Sequence, residues 1–168
     1  ITGIAHLFEH MMFRPLAQDK LGFWELTSKL GASVNANTRF EATLYTSTVP
    51  NDKLKELLKI ESDRFKYLTV TDELLKVEKE AVRSEYSTSR DSNPMIDLWN
   101  LIYMVGFPKH PFEWHIQGFT EDLDKISAKD CNTFFNQYYK PNNIGLFIAG
   151  DFDKKSVLES VKEYYSDW

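Results

Sequence analysis

Apolar and polar positions alternate along the chain with two periods, and the changes between them predict the elements. Residues 4–13 and 21–30 carry helical spacing, stopped by Pro15 and Gly31 respectively. Residues 33–38 and 41–49 read as two strands separated by Arg39-Phe40, and the alternation in 44–49 supports a hairpin. Asn51 or Asp52 caps a helix to about Phe65, with Leu54, Leu57, Leu58 and Phe65 on its inner stripe. Thr71 or Asp72 caps the next helix, which runs to about Arg90, and Asn93-Pro94 opens another reaching Val105. After a loop over 106–111, Ser127 with Asp130 resembles a capping box and starts a helix ending near Tyr139. Residues 144–149 read as an apolar strand, Gly150-Asp151 as its turn, and 154–165 as a last helix. The pattern predicts an α+β fold, with helices packed on one face of a mainly antiparallel sheet. Three strands are too few to cover these apolar helix faces, so chain outside residues 1–168 is expected to complete the sheet.

Composition narrows the function classes. A hydrophobic content of 42% with 14% aromatic residues excludes a disordered chain. Twenty-five acidic against twenty basic residues leave a net charge of −5, which argues against nucleic acid as the partner. No apolar run approaches the roughly 20 residues that a transmembrane helix needs. The single cysteine, Cys131, excludes an internal disulfide framework and a cysteine-rich zinc site. The expectation is one mildly acidic domain over residues 1–168. Because the chain opens on Ile1-Thr2-Gly3 without Met or leader, it is expected to begin partway into a larger protein, and its compartment is not readable.

The chemistry concentrates in His6-Leu7-Phe8-Glu9-His10. On a helix, residues three and four apart share a face, so His6, Glu9 and His10 project together. Two imidazoles at that spacing can hold one ion at about 2 Å. Glu9 beside them is placed to accept a proton from a metal-bound water. This H-x-x-E-H order is the inverzincin signature, the reverse of H-E-x-x-H. A catalytic zinc takes three protein ligands and one open position. Cys131, inside a helix, reads as a small buried hydrophobe, and His110 and His115 lie in a Pro-rich loop where exposure is expected. The helix over 72–90 offers a better third ligand. Its stripe runs through Leu74, Val77, Ala81 and Val82 and is completed by Glu78 and Glu85, two turns apart. Carboxylates on a buried stripe require a cation. Zinc held by His6 and His10 supplies it, with Glu85 as third ligand and Glu78 in support. The alternative is a pair of glutamates bridging to Lys or Arg of a neighbouring helix.

Taken together, these residues resemble the pitrilysin family of zinc metallopeptidases, which includes insulysin and the mitochondrial processing peptidase. The likeness runs through residues 3–13, the pair Glu78 and Glu85, Gly31 to Thr38, Tyr45, Asp91 to Pro94, His110-Pro111-Phe112 with Gly118, and Tyr139 to Asn143 leading to Gly150-Asp151. The resemblance implies a zinc endopeptidase and one half of a two-domain clamshell, with strands preceding the metal-binding helix absent from this chain. It implies Zn2+ on His6, His10 and Glu85, Glu9 as general base and Glu78 as the second catalytic glutamate. Asn35, Ala36 and Thr38 would lie on a substrate-binding edge strand that pairs with an extended peptide. The expected partners are that peptide and a second related half, on the same chain or a partner subunit. A non-catalytic, structural or peptide-binding subunit of the same family is the alternative. Such members usually lose metal-motif residues, and His6, Glu9, His10 and Glu85 are all present. A purely structural zinc would prefer four closed ligands, and a fourth is not evident.

Overall fold

Turn-forming and capping residues set several element ends. The computed structural model describes residues 1–15 and 21–168. In chain order they form α1 (Ile4–Met11), α2 (Phe23–Lys29), β1 (Ser33–Thr38), β2 (Thr43–Thr48), α3 (Leu54–Tyr67), α4 (Asp72–Ser92), α5 (Met95–Gly106), α6 (Thr120–Lys125), α7 (Ala128–Tyr138) and α8 (Lys154–Tyr165). Gly31, at φ +66°, closes α2 in a Schellman arrangement, Gly31 N–H donating to Ser28 O and Ala32 N–H to Thr27 O. Thr71 caps α4 by accepting from Leu74 N–H, and Asp153 caps α8 by accepting from Ser156 N–H. Ser127 and Asp130 form the reciprocal cap of α7: Ser127 N–H donates to Asp130 Oδ2, and Asp130 N–H to Ser127 Oγ.

The class is α+β, with helix dominant and β1 and β2 forming a two-stranded antiparallel sheet. Four expectations change. Neither Asn51 nor Asp52 caps α3, which follows a single 3-10 turn over Asn51–Lys53 and has no side-chain cap. Residues 144–149 form no ladder among the described residues, although Ile144 is extended (φ −128°, ψ 138°) and Phe147 is 92% exposed. Extended backbone becomes sheet only where a neighbour takes its hydrogen bonds. The short helix α6 escapes sequence reading because its six residues bury one apolar side chain, Leu123, too few to show a period. On α4 the buried stripe is Leu75, Glu78 and Val82, whereas Val77 is exposed. Steps of three and four follow the 3.6-residue turn, so the expected stripe was rotated slightly from the real one.

The chain divides into two units. One holds Ile1–Met11, Ala36–Leu44 and Val70–Asn132. There α1 packs on α4, which also meets α5 and α6, around buried Leu7, Phe8, Met11, Leu75, Val82, Leu123, Ile126 and Cys131. The other holds Met12–Asn35, Tyr45–Thr69 and Thr133–Trp168, with α3 packed on α2 and α8. Its buried centre includes Phe23, Leu57, Leu58, Phe135 and the charged Arg64. No described helix is long and apolar enough to cross a membrane.

Candidate metal centre

Helix α1 is eight residues long and buries His6, Leu7, Phe8, Glu9 and Met11. Apolar neighbours therefore hold its polar residues in place. Against it, α4 presents Glu78, almost fully buried, and Glu85 two turns later with a side chain 44% exposed. His6 Nε2 lies 3.6 Å from Glu85 Oε1, and His10 Nε2 lies 3.2 Å from Glu85 Oε2. Ligand-capable atoms of His6, His10 and Glu85 all fall within 4.8 Å of one another. A tetrahedral ion with bonds of about 2.0–2.1 Å has edges of about 3.3–3.4 Å, so the two His–Glu85 gaps are near that size while the trio as a whole is somewhat wider. Two imidazoles and one carboxylate are also a donor set that suits zinc.

The remaining groups orient this trio. His10 Nδ1 sits 3.3 Å from Glu78 Oε2, so the bond assigns its hydrogen to Nδ1 and leaves Nε2 to face Glu85. Glu78, with that bond first and the charge of Glu85 adding to it, raises the pKa of His10. His6 goes the other way: burial, reinforced by His10 and His115 and opposed by Glu85, lowers it to about 4. Its imidazole is neutral at pH 7 and keeps a lone pair for a cation. Thr38 Oγ1, on β1, donates a hydrogen bond to Glu9 Oε2.

All four residues of the proposed centre, His6, Glu9, His10 and Glu85, come together with Glu78 in one unit. Thr38 joins them through Glu9, with its side chain turned inward and buried. Asn35 is exposed and Ala36 half-buried on the same strand, and the Asn35 carbonyl accepts from Thr46 Oγ1 on β2. The expectation for His115 is corrected. Rather than lying exposed, it is half-buried, stacked on Tyr86 with ring centroids 4.7 Å apart, and burial lowers its pKa. His110 is exposed and Cys131 buried, as expected. Sequence reading missed Gln117, whose Nε2 donates to Glu85 Oε1 at 2.9 Å. The only local signal for it was the adjoining Gly118.

A family model for insulinase, peptidase family M16, matches residues 1–111. The chain belongs to the insulinase family. A second model, the M16 inactive domain, matches residues 125–168. Among insulinase-family relatives, the zinc protease PqqE of Helicobacter pylori is 27% identical over 98% of this chain and 37% of its own length. The uncharacterized zinc protease YmfH of Bacillus subtilis is 30% identical over 96% of this chain and 36% of its own. The crystal structure of a protease from Helicobacter pylori superposes with a TM-score of 0.92 at 27% identity, covering 98% of this chain and 40% of that one. The chain thus spans about two fifths of these insulinase-family proteins.

Proposed function

We propose that this chain belongs to a zinc-dependent metalloendopeptidase, with His6, His10 and Glu85 as metal ligands and Glu9 as general base. The observation that carries the reading is the approach of two imidazoles from α1 and one carboxylate from α4 to within ion-bridging distance. The names of the relatives, zinc proteases, point the same way. Zinc bound there would supply a Lewis acid and lower the pKa of its water toward 7. Glu9, steadied through Oε2 by Thr38, accepts on Oε1 a proton from the water that adds to the peptide carbonyl, and later hands it to the amine released as the C–N bond breaks. Glu78 holds His10 in a single tautomer and ring orientation. An extended peptide runs along β1 at Asn35 and Ala36, with Thr38 at the end of the strand nearest Glu9. A second related half of the protein encloses that peptide.

The test uses the full-length protein. Elemental analysis should find about one zinc held by these ligands per copy of this chain, and chelator should stop hydrolysis of fluorogenic peptides. Glu9→Gln should retain the zinc while turnover falls by about 10²–10⁴-fold. Near-normal hydrolysis by Glu9→Gln, or unchanged zinc binding after His10→Ala, would overturn the reading.

A further inference from the structure

We infer that Gln117 is a positioning residue for the metal-binding carboxylate of Glu85, which makes the loop before α6 part of the centre; this rests on the metal-site reading above. Glu85 needs an orienting partner more than its neighbours do. His6, Glu9 and Glu78 are buried, whereas the Glu85 side chain is 44% exposed on α4 and, besides the two imidazoles, meets Gln117. Gln117 Nε2 donates to Oε1 at 2.9 Å. Oε1 is thereby engaged, and Oε2, the atom 3.2 Å from His10 Nε2, is presented to the cation. Ligating carboxylates are commonly fixed by such a hydrogen bond.

The loop is built to hold that amide still. Gly3 and Gly118 cross back to back at positive φ, +80° and +75°. A Cβ on Gly3 would meet Gln117 O at 2.3 Å, and one on Gly118 would meet Gly3 N at 2.5 Å. Thr2 adds three bonds across the crossing. Its N–H and hydroxyl donate to Asp122 Oδ2, each at 2.9 Å, and its Oγ1 accepts from Phe119 N–H at 3.0 Å. Gly3 O in turn accepts from Leu7 N–H in α1. The loop is therefore clasped to the start of the helix that carries both histidines, while its side-chain amide grips the acid on α4. Gln117 sets the distance between the two halves of the ligand set.

The experiment measures zinc affinity of the full-length protein by chelator competition, alongside the melting temperature of the metal-free form. Gln117→Leu, which keeps the bulk and removes the donor, should weaken zinc binding about 10–100-fold. Gln117→Glu, matching the native shape but setting a carboxylate against Glu85, should also weaken it. Metal-free melting should stay at the wild-type value, which separates positioning from folding. Wild-type zinc affinity in both variants, or tighter binding by Gln117→Glu, would overturn the inference. If instead wild-type protein fails to bind zinc, or binds it without needing Glu85, the metal-site reading itself falls.

Discussion

The two units bury charge in opposite ways. In one, Arg64 is 2% exposed yet has a partner at each nitrogen: its Nε and Nη2 reach Glu61 Oε2 at 2.7 and 2.6 Å, and its Nη1 reaches Met12 O. The guanidinium also lies over the rings of Phe23, Tyr45, Phe65 and Phe13, at 3.7 to 5.6 Å from their centroids. Cation, carboxylate and π-faces balance locally, as in a site whose purpose is structural. In the other unit, three carboxylates, Glu9, Glu78 and Glu85, gather around two imidazoles, one of them held neutral by burial. That cluster is short of positive charge, and under the proposed function a divalent ion would correct it. Buried charge by itself therefore says little; the sign left over after local pairing separates support from chemistry.

The largest effect should come from breaking the balanced site. Arg64→Ala leaves Glu61 without its cation and empties the aromatic box, so denaturant unfolding of the full-length protein should show a loss of about 3–5 kcal/mol. Adding Glu61→Leu to Arg64→Met should recover most of that loss, because an apolar pair of similar volume needs no neutralisation. If the double variant is no more stable than Arg64→Met alone, the site is not a self-contained pair. At the unbalanced site, Glu78→Gln should barely change folding but weaken zinc about 10–100-fold by chelator competition, since a neutral amide holds His10 less well. Unchanged affinity there would put Glu78 outside the centre. The mildest test concerns a group for which burial outweighs the nearby charges of Asp130 and Lys79. Burial pushes the Cys131 thiol up to about 11, so at pH 8 only about one in a thousand is thiolate, against about a quarter of free cysteine. Alkylation at Cys131, followed by peptide mass spectrometry, should be over about 100-fold slower in native than in denatured protein and rise about tenfold per pH unit. Equal rates would show the thiol to be accessible and unperturbed.

Much of this was legible locally. The H-x-x-E-H spacing placed His6, Glu9 and His10 on one helical face, and the seven-residue step from Glu78 to Glu85 kept both acids on one side of α4. Caps at Thr71, Ser127 and Asp153 set helix starts through side chains only a few residues away. Reading became less secure where a contact partner is distant in sequence. Val77 and Leu75 are both apolar, and only the packing of other helices on α4 decides which is buried. His115 looked like a loop histidine until Tyr86 supplied a ring to stack on.

The sequence by itself determined the candidate donor types, the shared helical face of His6, Glu9 and His10, and the family, because those depend on residue identity and a fixed 3.6-residue turn. Tertiary structure alone decided that Thr38 turns its hydroxyl to Glu9 and that Gln117 reaches Glu85 from a loop clasped to α1. Such contacts join residues 29 and 32 positions apart, and no local periodicity encodes a distance that only the packed chain creates.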